Sequence, residues 1–140
     1  MEKIGIFILD HWILSFALVF LSILLLSDIL KSKFLGFKDV DPNGAIRQIN
    51  QADAVMLDVR EDKEYAEGHI SEALHIPLGV LDKRLGELES YKSRPIIIYC
   101  RSGDRATRAG ALLRKQGFQT VYKLAGGILA WKNANLPTSK

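Results

Sequence analysis

Ile96-Ile97-Ile98-Tyr99-Cys100-Arg101-Ser102-Gly103-Asp104-Arg105 is the stretch from which the fold is read. Three consecutive isoleucines and a tyrosine are too apolar and β-branched for anything but an interior strand. The strand gives way at once to a short polar, cationic loop. Residues 105–116 then read as a helix, with Arg114 and Lys115 in its last turn and Gly117 as its stop. A strand, a tight loop and a helix in that order aim several backbone N–H groups and the positive end of the helix dipole at one point. The only cysteine of the chain stands there, at the last place of the apolar run. A cysteine kept for packing belongs inside such a run. At its end, beside Arg101 and Arg105 and facing helix amides, the thiolate is the favoured form, which is the nucleophilic one. Gly103 supplies the positive φ that so tight a turn requires.

Working outward, further short apolar runs at 54–59, 73–76 and 120–124 read as buried strands like 95–99. Helices fall between and after them. Asp41-Pro42 is an N-cap followed by a first-turn proline, opening a helix to about Asn50. Leu78, Leu81, Leu85 and Leu88 recur at three- and four-residue spacing, which predicts one apolar face of another helix. Residues 127–133 make a last short helix carrying Ile128 and Trp131. Strands alternating with helices predict an α/β domain whose parallel sheet is covered by helices on both faces. Ligands of such folds gather at the carboxyl ends of the strands, where Cys100 sits.

The first forty residues have a different character. From Trp12 to Leu30, 15 of 19 positions are apolar, the others being Ser15, Ser22, Ser27 and Asp28. A helix of that length measures about 28 Å, close to the hydrocarbon thickness of a bilayer. A cleaved signal peptide fits less well, because the apolar run is too long and no small-x-small site follows. A helix apolar on every side also needs more protein around it than 140 residues provide. The reading is an N-terminal membrane anchor, residues 1–36 with a transmembrane helix over about 12–30, ahead of a domain at 37–140. Asp28 lies in the last turn, near the headgroups, and Trp12 at the opposite interface. Lys31, Lys33 and Lys38 follow the span, whereas Lys3 alone precedes it, beside Glu2 and Asp10. The excess of positive charge predicts a single pass through the inner membrane with the C-terminal domain in the cytoplasm. Residues 4–9 are apolar enough to lie along the interface.

Composition removes other classes. A single cysteine excludes an internal disulfide framework and a Cys-rich zinc site. Net charge is +3, with no run of five lysines or arginines, so nothing points to nucleic acid. His11 and His75 have no metal-ligand partner at useful spacing. Asp58 and Arg60 follow a buried strand and read as an ion-paired support for the adjacent loop. His69, in a Gly-His-Ile turn, reads as a backbone hydrogen-bonding residue, and Gly126-Gly127 as a close-packed turn rather than a phosphate cradle.

Three ordered motifs resemble the rhodanese family of sulfurtransferases. Cys100-Arg101-Ser102-Gly103-Asp104-Arg105 is similar to the family's active-site loop. Leu57-Asp58-Val59-Arg60, with Glu64-Tyr65, Gly68-His69-Ile70 and Ile76-Pro77, resembles its N-terminal signature. Gly117-Phe118, Val121-Tyr122, Leu124, Gly126-Gly127-Ile128 and Ala130-Trp131 resemble its C-terminal one. The likeness covers residues 37–136, and a membrane segment followed by one such domain is similar to membrane-anchored bacterial members. It implies a five-stranded parallel sheet whose first strand is short, near 37–40. It also implies that Cys100 carries sulfur as a persulfide, with Arg101, Ser102, Gly103, Asp104 and Arg105 binding the substrate. Ala106 stands where many relatives have serine, Glu72 where a small residue is common, and Asp104 puts an acid in an anion loop, where it can instead cap the following helix. These departures bear on substrate preference.

Cysteine phosphatases of a related fold have five residues between cysteine and arginine; here four separate Cys100 from Arg105. The smaller ring suits a terminal sulfur rather than a tetrahedral phosphate. The expected chemistry is a double displacement that needs no metal or organic cofactor. The donor is a small sulfur-containing anion such as thiosulfate, or a persulfide, and the acceptor is a thiol or cyanide. A membrane-associated protein acceptor follows from the tether. A membrane-tethered docking module and a redox sensor built on Cys100 are the competing readings.

Overall fold

The computed structural model describes the backbone of residues 1–140 and every side chain except those of Asp28, Lys31, Ser32 and Lys33. The chain falls into two units, Met1–Phe34 and Leu35–Lys140.

The first unit holds α1 (Glu2–Asp10) and all but the last residue of α2 (Trp12–Leu35). They part at His11, whose φ of −123° and ψ of 39° leave the helical region while its N–H still bonds Phe7 O. No residue of α1 is buried, and the large apolar side chains of α2, such as Trp12, Phe16 and Leu18, lie 64%, 74% and 67% exposed. Among the described residues no single helix is long and apolar enough to cross a membrane. The pair Glu2–Asp10 and Trp12–Ser27, bent by 92°, meets that requirement together. The side chains of Lys31 and Lys33, two of the three cations on which the orientation expectation leans, and that of Asp28 lie outside those described.

The second unit is built on five parallel strands. In chain order these are β1 (Lys38–Val40), β2 (Val55–Asp58), β4 (Leu74–His75), β5 (Ile96–Tyr99) and β6 (Val121–Leu124), laid side by side as β1-β6-β5-β2-β4. Strand β5 is central, pairing Ile98 with Leu57 on one side and with Lys123 on the other. The period of two along a strand divides its side chains between two faces. Ile96 and Ile98 join Leu57, Val59 and Val121 against Leu81, Leu88 and α5 (Asp104–Lys115), which supplies Ala106, Ala109 and Leu113. Ile97 and Tyr99 join Met56 and Leu124 against α3 (Pro42–Ala52) and α6 (Gly127–Asn133), through Ala45, Ile128 and Trp131. Both faces are therefore covered. Asp41 caps α3 as expected, its carboxylate accepting the Gly44 N–H at 2.7 Å. Helix α5 lies hard against the start of the domain: a Cβ on Gly110 would stand 2.9–3.1 Å from three carbons of the Phe37 ring.

The leucine repeat at 78–88 corrects the expectation of a single helix. It forms two consecutive 3₁₀ helices, Leu78–Lys83 and Leu85–Tyr91, separated at Arg84. Residues three apart eclipse in a 3₁₀ helix. Leu78 thus aligns with Leu81, and Leu85 with Leu88, while the four-residue step falls at the break. Gly79 and Gly86 weaken any α-helix there. Two elements were not anticipated: α4 (Asp62–Glu67), and a small antiparallel ribbon of β3 (His69–Ile70) with β7 (Thr138–Ser139).

Candidate active site

Strand β5 delivers Cys100, 2% exposed, to the carboxyl edge of the sheet. The chain turns at once, with Gly103 at φ +140°, a region that L side chains rarely adopt, and α5 begins at Asp104. The Gly103 N–H donates to Cys100 Sγ at 3.1 Å. Sequence reasoning expected several amides to converge on the sulfur; among the described residues this is the one that bonds it. The next amides, of Asp104, Arg105 and Ala106, open α5 and have no partner within the helix. The Gly103 carbonyl is held from the other side by the Thr107 N–H and the Thr107 hydroxyl, both at 3.0 Å, and Lys123 Nζ donates to that hydroxyl at 3.2 Å.

The back of the loop is gripped by α6. Ile128 N–H donates to Cys100 O at 2.9 Å and Leu129 N–H to Arg101 O at 3.4 Å. Gly127 makes this approach possible, because a Cβ there would lie 2.5 Å from Cys100 O and against Arg101 O, at φ +60°. The expectation of a close-packed turn at Gly126-Gly127 is met by this contact.

The five loop side chains fare differently. Arg101 and Ser102 are exposed. Gly103 acts through its amide. Asp104 corrects its expected role as cap: Gly103 is the N-cap residue, no side chain bonds that end, and Asp104 stands one place inside, in the first turn, where an acid favours the helix dipole. Arg105 is held in a fork by Glu64 of α4, with Nη1 donating to Oε1 at 2.6 Å and Nη2 to Oε2 at 3.0 Å. That hydrogen-bonded fork holds the Glu64 carboxyl below the usual carboxylate range and raises Arg105, to which the charge of Cys100 also contributes. Glu64 also accepts the Glu61 N–H at 3.4 Å, bracing the first turn of α4. Its pairing with Arg105 was missed from sequence. The one available signal was the Glu61/Glu64 spacing of a capping box.

Asp58 and Arg60 are ion-paired with each other. Both are buried, at 0% and 5% exposure. Arg60 Nη2 donates to Asp58 Oδ2 and to Gly68 O, each at 2.7 Å, and the Arg60 N–H reaches Asp58 Oδ1 at 2.9 Å. Burial works against the Arg60 charge, and the Asp58 carboxylate more than offsets it. The guanidinium lies 5.7 Å from the centroid of the Tyr99 ring, whose hydroxyl accepts the Ile70 N–H at 3.0 Å and whose acidity burial suppresses. His69 bonds backbone, as read, with Nδ1 3.0 Å from Tyr65 O. His75 Nε2 bonds Arg60 O at 2.8 Å, and the Tyr65 ring stacks against both imidazoles, at 3.8 and 4.2 Å. Among the described residues no group of three or more His, Cys, Asp or Glu could hold a metal ion.

Residues 41–134 match the family model of the rhodanese-like domain. The chain is 33% identical over 138 residues to "Uncharacterized protein YibN" of Escherichia coli K12, covering 98% of this chain and 96% of that protein. It is 34% identical over 103 residues to "Thiosulfate sulfurtransferase GlpE" of Coxiella burnetii, covering 74% and 94%. Among solved structures, a rhodanese-related protein of Thermoplasma volcanium superposes with a TM-score of 0.67 at 25% identity, covering 74% of this chain and 98% of that one.

Proposed function

This chain belongs to the rhodanese-like domain family, and from that premise we propose that it is a sulfurtransferase working through a persulfide on Cys100. The observation that carries the reading is the Cys100 sulfur at the end of β5, 3.1 Å from the Gly103 N–H at the mouth of α5. The name of the Coxiella burnetii relative makes thiosulfate the first donor to test.

Cys100 Sγ attacks the outer sulfur of thiosulfate. A new S–S bond forms at Cys100, the old one breaks, and its electron pair leaves with sulfite. The terminal sulfur carries a negative charge, for which the Gly103 amide and the unpaired amides opening α5 are suited donors. A thiolate or cyanide then attacks that sulfur and takes it, returning the electron pair to Cys100 as thiolate. Each half-reaction balances without an oxidant. Covalent catalysis of this kind gives ping-pong kinetics. Arg101 and Ser102, exposed beside the sulfur, meet the incoming anion. Arg105, neutralised by Glu64, serves more to fix the loop than to bind. Asp58 and Arg60 support the turn beneath it.

The N-terminal unit, with its exposed apolar helices, holds the domain at the inner membrane with the domain on the cytoplasmic side. A thiol left unpaired and ready to react suits a reducing compartment, and acceptors then include thiols presented at the bilayer surface.

Purified full chain in detergent, incubated with thiosulfate, should gain about 32 Da on Cys100 as a persulfide. Cys100→Ser should abolish thiocyanate formation from thiosulfate and cyanide. Turnover surviving in that variant would remove Cys100 from its role. A thiol that no sulfur donor modifies would leave a tethered docking module in its place.

A further inference from the structure

A groove of about 300 Å³ runs beside the Cys100 loop, and the mechanism above leaves it unused. It shares Arg101 with the loop, and its wall includes Ile128 and Leu129, whose amides bond the Cys100 and Arg101 carbonyls. Across from these stand Glu64 and Glu67 of α4, with Lys132 of α6 completing the rim. Glu64 is committed to Arg105. Arg101, Lys132 and Glu67 are exposed, and none has an ion-pair partner among the described residues.

The space is at the lower end of pockets that take small organic ligands and larger than a small inorganic anion requires. Arg60 also lines the groove but is committed to Asp58 and to Gly68 O, so the open chemistry is threefold: two free cations, one free carboxylate, and an apolar strip from Ile128 and Leu129. A dianion would meet Glu67, and a plain alkyl thiol would leave all three charges unanswered. The ligand that answers them carries a carboxylate for Arg101 and Lys132, an ammonium for Glu67 and a short apolar stem between.

We propose that this groove selects the sulfur acceptor, and that the acceptor is a small zwitterionic thiol of the amino-acid type. The inference rests on the Cys100 persulfide reading and names the substrate class of its second half-reaction. The bound thiolate attacks the outer sulfur of the persulfide, a new S–S bond forms on the acceptor, the Cys100–S bond breaks, and its electron pair remains on Cys100.

Full chain loaded with sulfur from thiosulfate and desalted is mixed separately with L-cysteine, cysteamine, 3-mercaptopropionate and 2-mercaptoethanol. Discharge of the persulfide is followed by mass at equal thiolate concentration. L-Cysteine should discharge it about three- to tenfold faster than either thiol bearing a single charge. Lys132→Glu should reverse the ratio of cysteine to cysteamine, and Glu67→Lys the ratio of cysteine to 3-mercaptopropionate. Ratios are read within one protein, so a partly unfolded variant lowers every rate and leaves them in place. Equal rates for all four thiols, or ratios unmoved by both charge reversals, overturn the proposal. If thiosulfate never loads Cys100, the earlier reading fails. The groove is then judged by binding of S-methyl-L-cysteine, which has no thiol. Saturable binding lost in Lys132→Glu upholds the site, and no binding to the wild-type chain overturns it.

Discussion

Gly127 matters for what it lacks. The Cys100 and Arg101 carbonyls occupy the space a Cβ would need, so Gly127→Ala must push the loop away from α6 or unwind the first turn of that helix. Positive φ adds strain of about 1–3 kcal/mol. Sulfur transfer should fall much more than thermal stability, because the displaced backbone is the one that carries the sulfur; equal losses of both would mean a merely structural glycine. Asp58 and Arg60 fail differently. Replacing Arg60 by Met leaves a carboxylate at 0% exposure without its partner, and an abandoned buried charge costs about 3–5 kcal/mol. Denaturant unfolding should show that loss. At this scale the placement of Cys100, Asp58 and Arg60 was legible, because they stand at or just beyond the ends of apolar runs, and that of Gly103 because the loop needs a tight turn. The Arg105 fork was not, because its partner lies 41 residues away and local pattern carries no information across that distance.

Among the elements, α4 has the most to say about the site, although only six residues form it. It contributes Glu64 to the Arg105 fork, Tyr65 to the imidazole stack and Glu67 to the groove. The Glu64 part of its attachment is electrostatic and therefore depends on pH. Glu64 titrates below its ordinary value in the folded chain because of Arg105. The unfolded chain therefore takes up a proton first as pH falls, and the fork's contribution to stability is complete above the ordinary glutamate value and lost as pH drops through the folded one. The melting temperature of Glu64→Gln should consequently lie below wild type at neutral pH and converge on it in acid. Parallel curves across that range would detach Glu64 from the effect. Strand β5 and helix α5 were legible because apolar run, loop and helix are contiguous. The 3₁₀ pair escapes the sequence because three-residue spacing serves both helix types, and the ribbon of β3 with β7 pairs Ile70 with Thr138 and His69 with Ser139, 68 and 70 residues apart, through strands two residues long.

For the whole molecule, the two units differ in what they expose. The sheet buries its apolar side chains on both faces, whereas α1 and α2 display theirs, an arrangement that water alone does not favour. Full chain should stay with vesicles through high salt and alkaline carbonate, since apolar insertion is not screened. Leu21→Lys places a charge midway along the apolar run, at a cost of roughly 2.5–3.5 kcal/mol in a bilayer centre, and should shift the chain toward the soluble fraction. Unchanged partitioning would deny α2 its membrane role. The contrast between units was plain in the sequence because composition changes so sharply; the break at His11 was not, as nothing in its neighbours marks it.

The Phe37 ring against Gly110 has a mechanical consequence. Tension entering the domain along the chain from its upstream side meets Leu35, which packs against the core, and then Phe37, which bears on α5, the helix that opens just after Cys100. A pull on that end loads α5 before it loads β4, at the opposite edge of the sheet from β1. The upstream end of the domain and the Cys100 loop are thus mechanically joined through one helix.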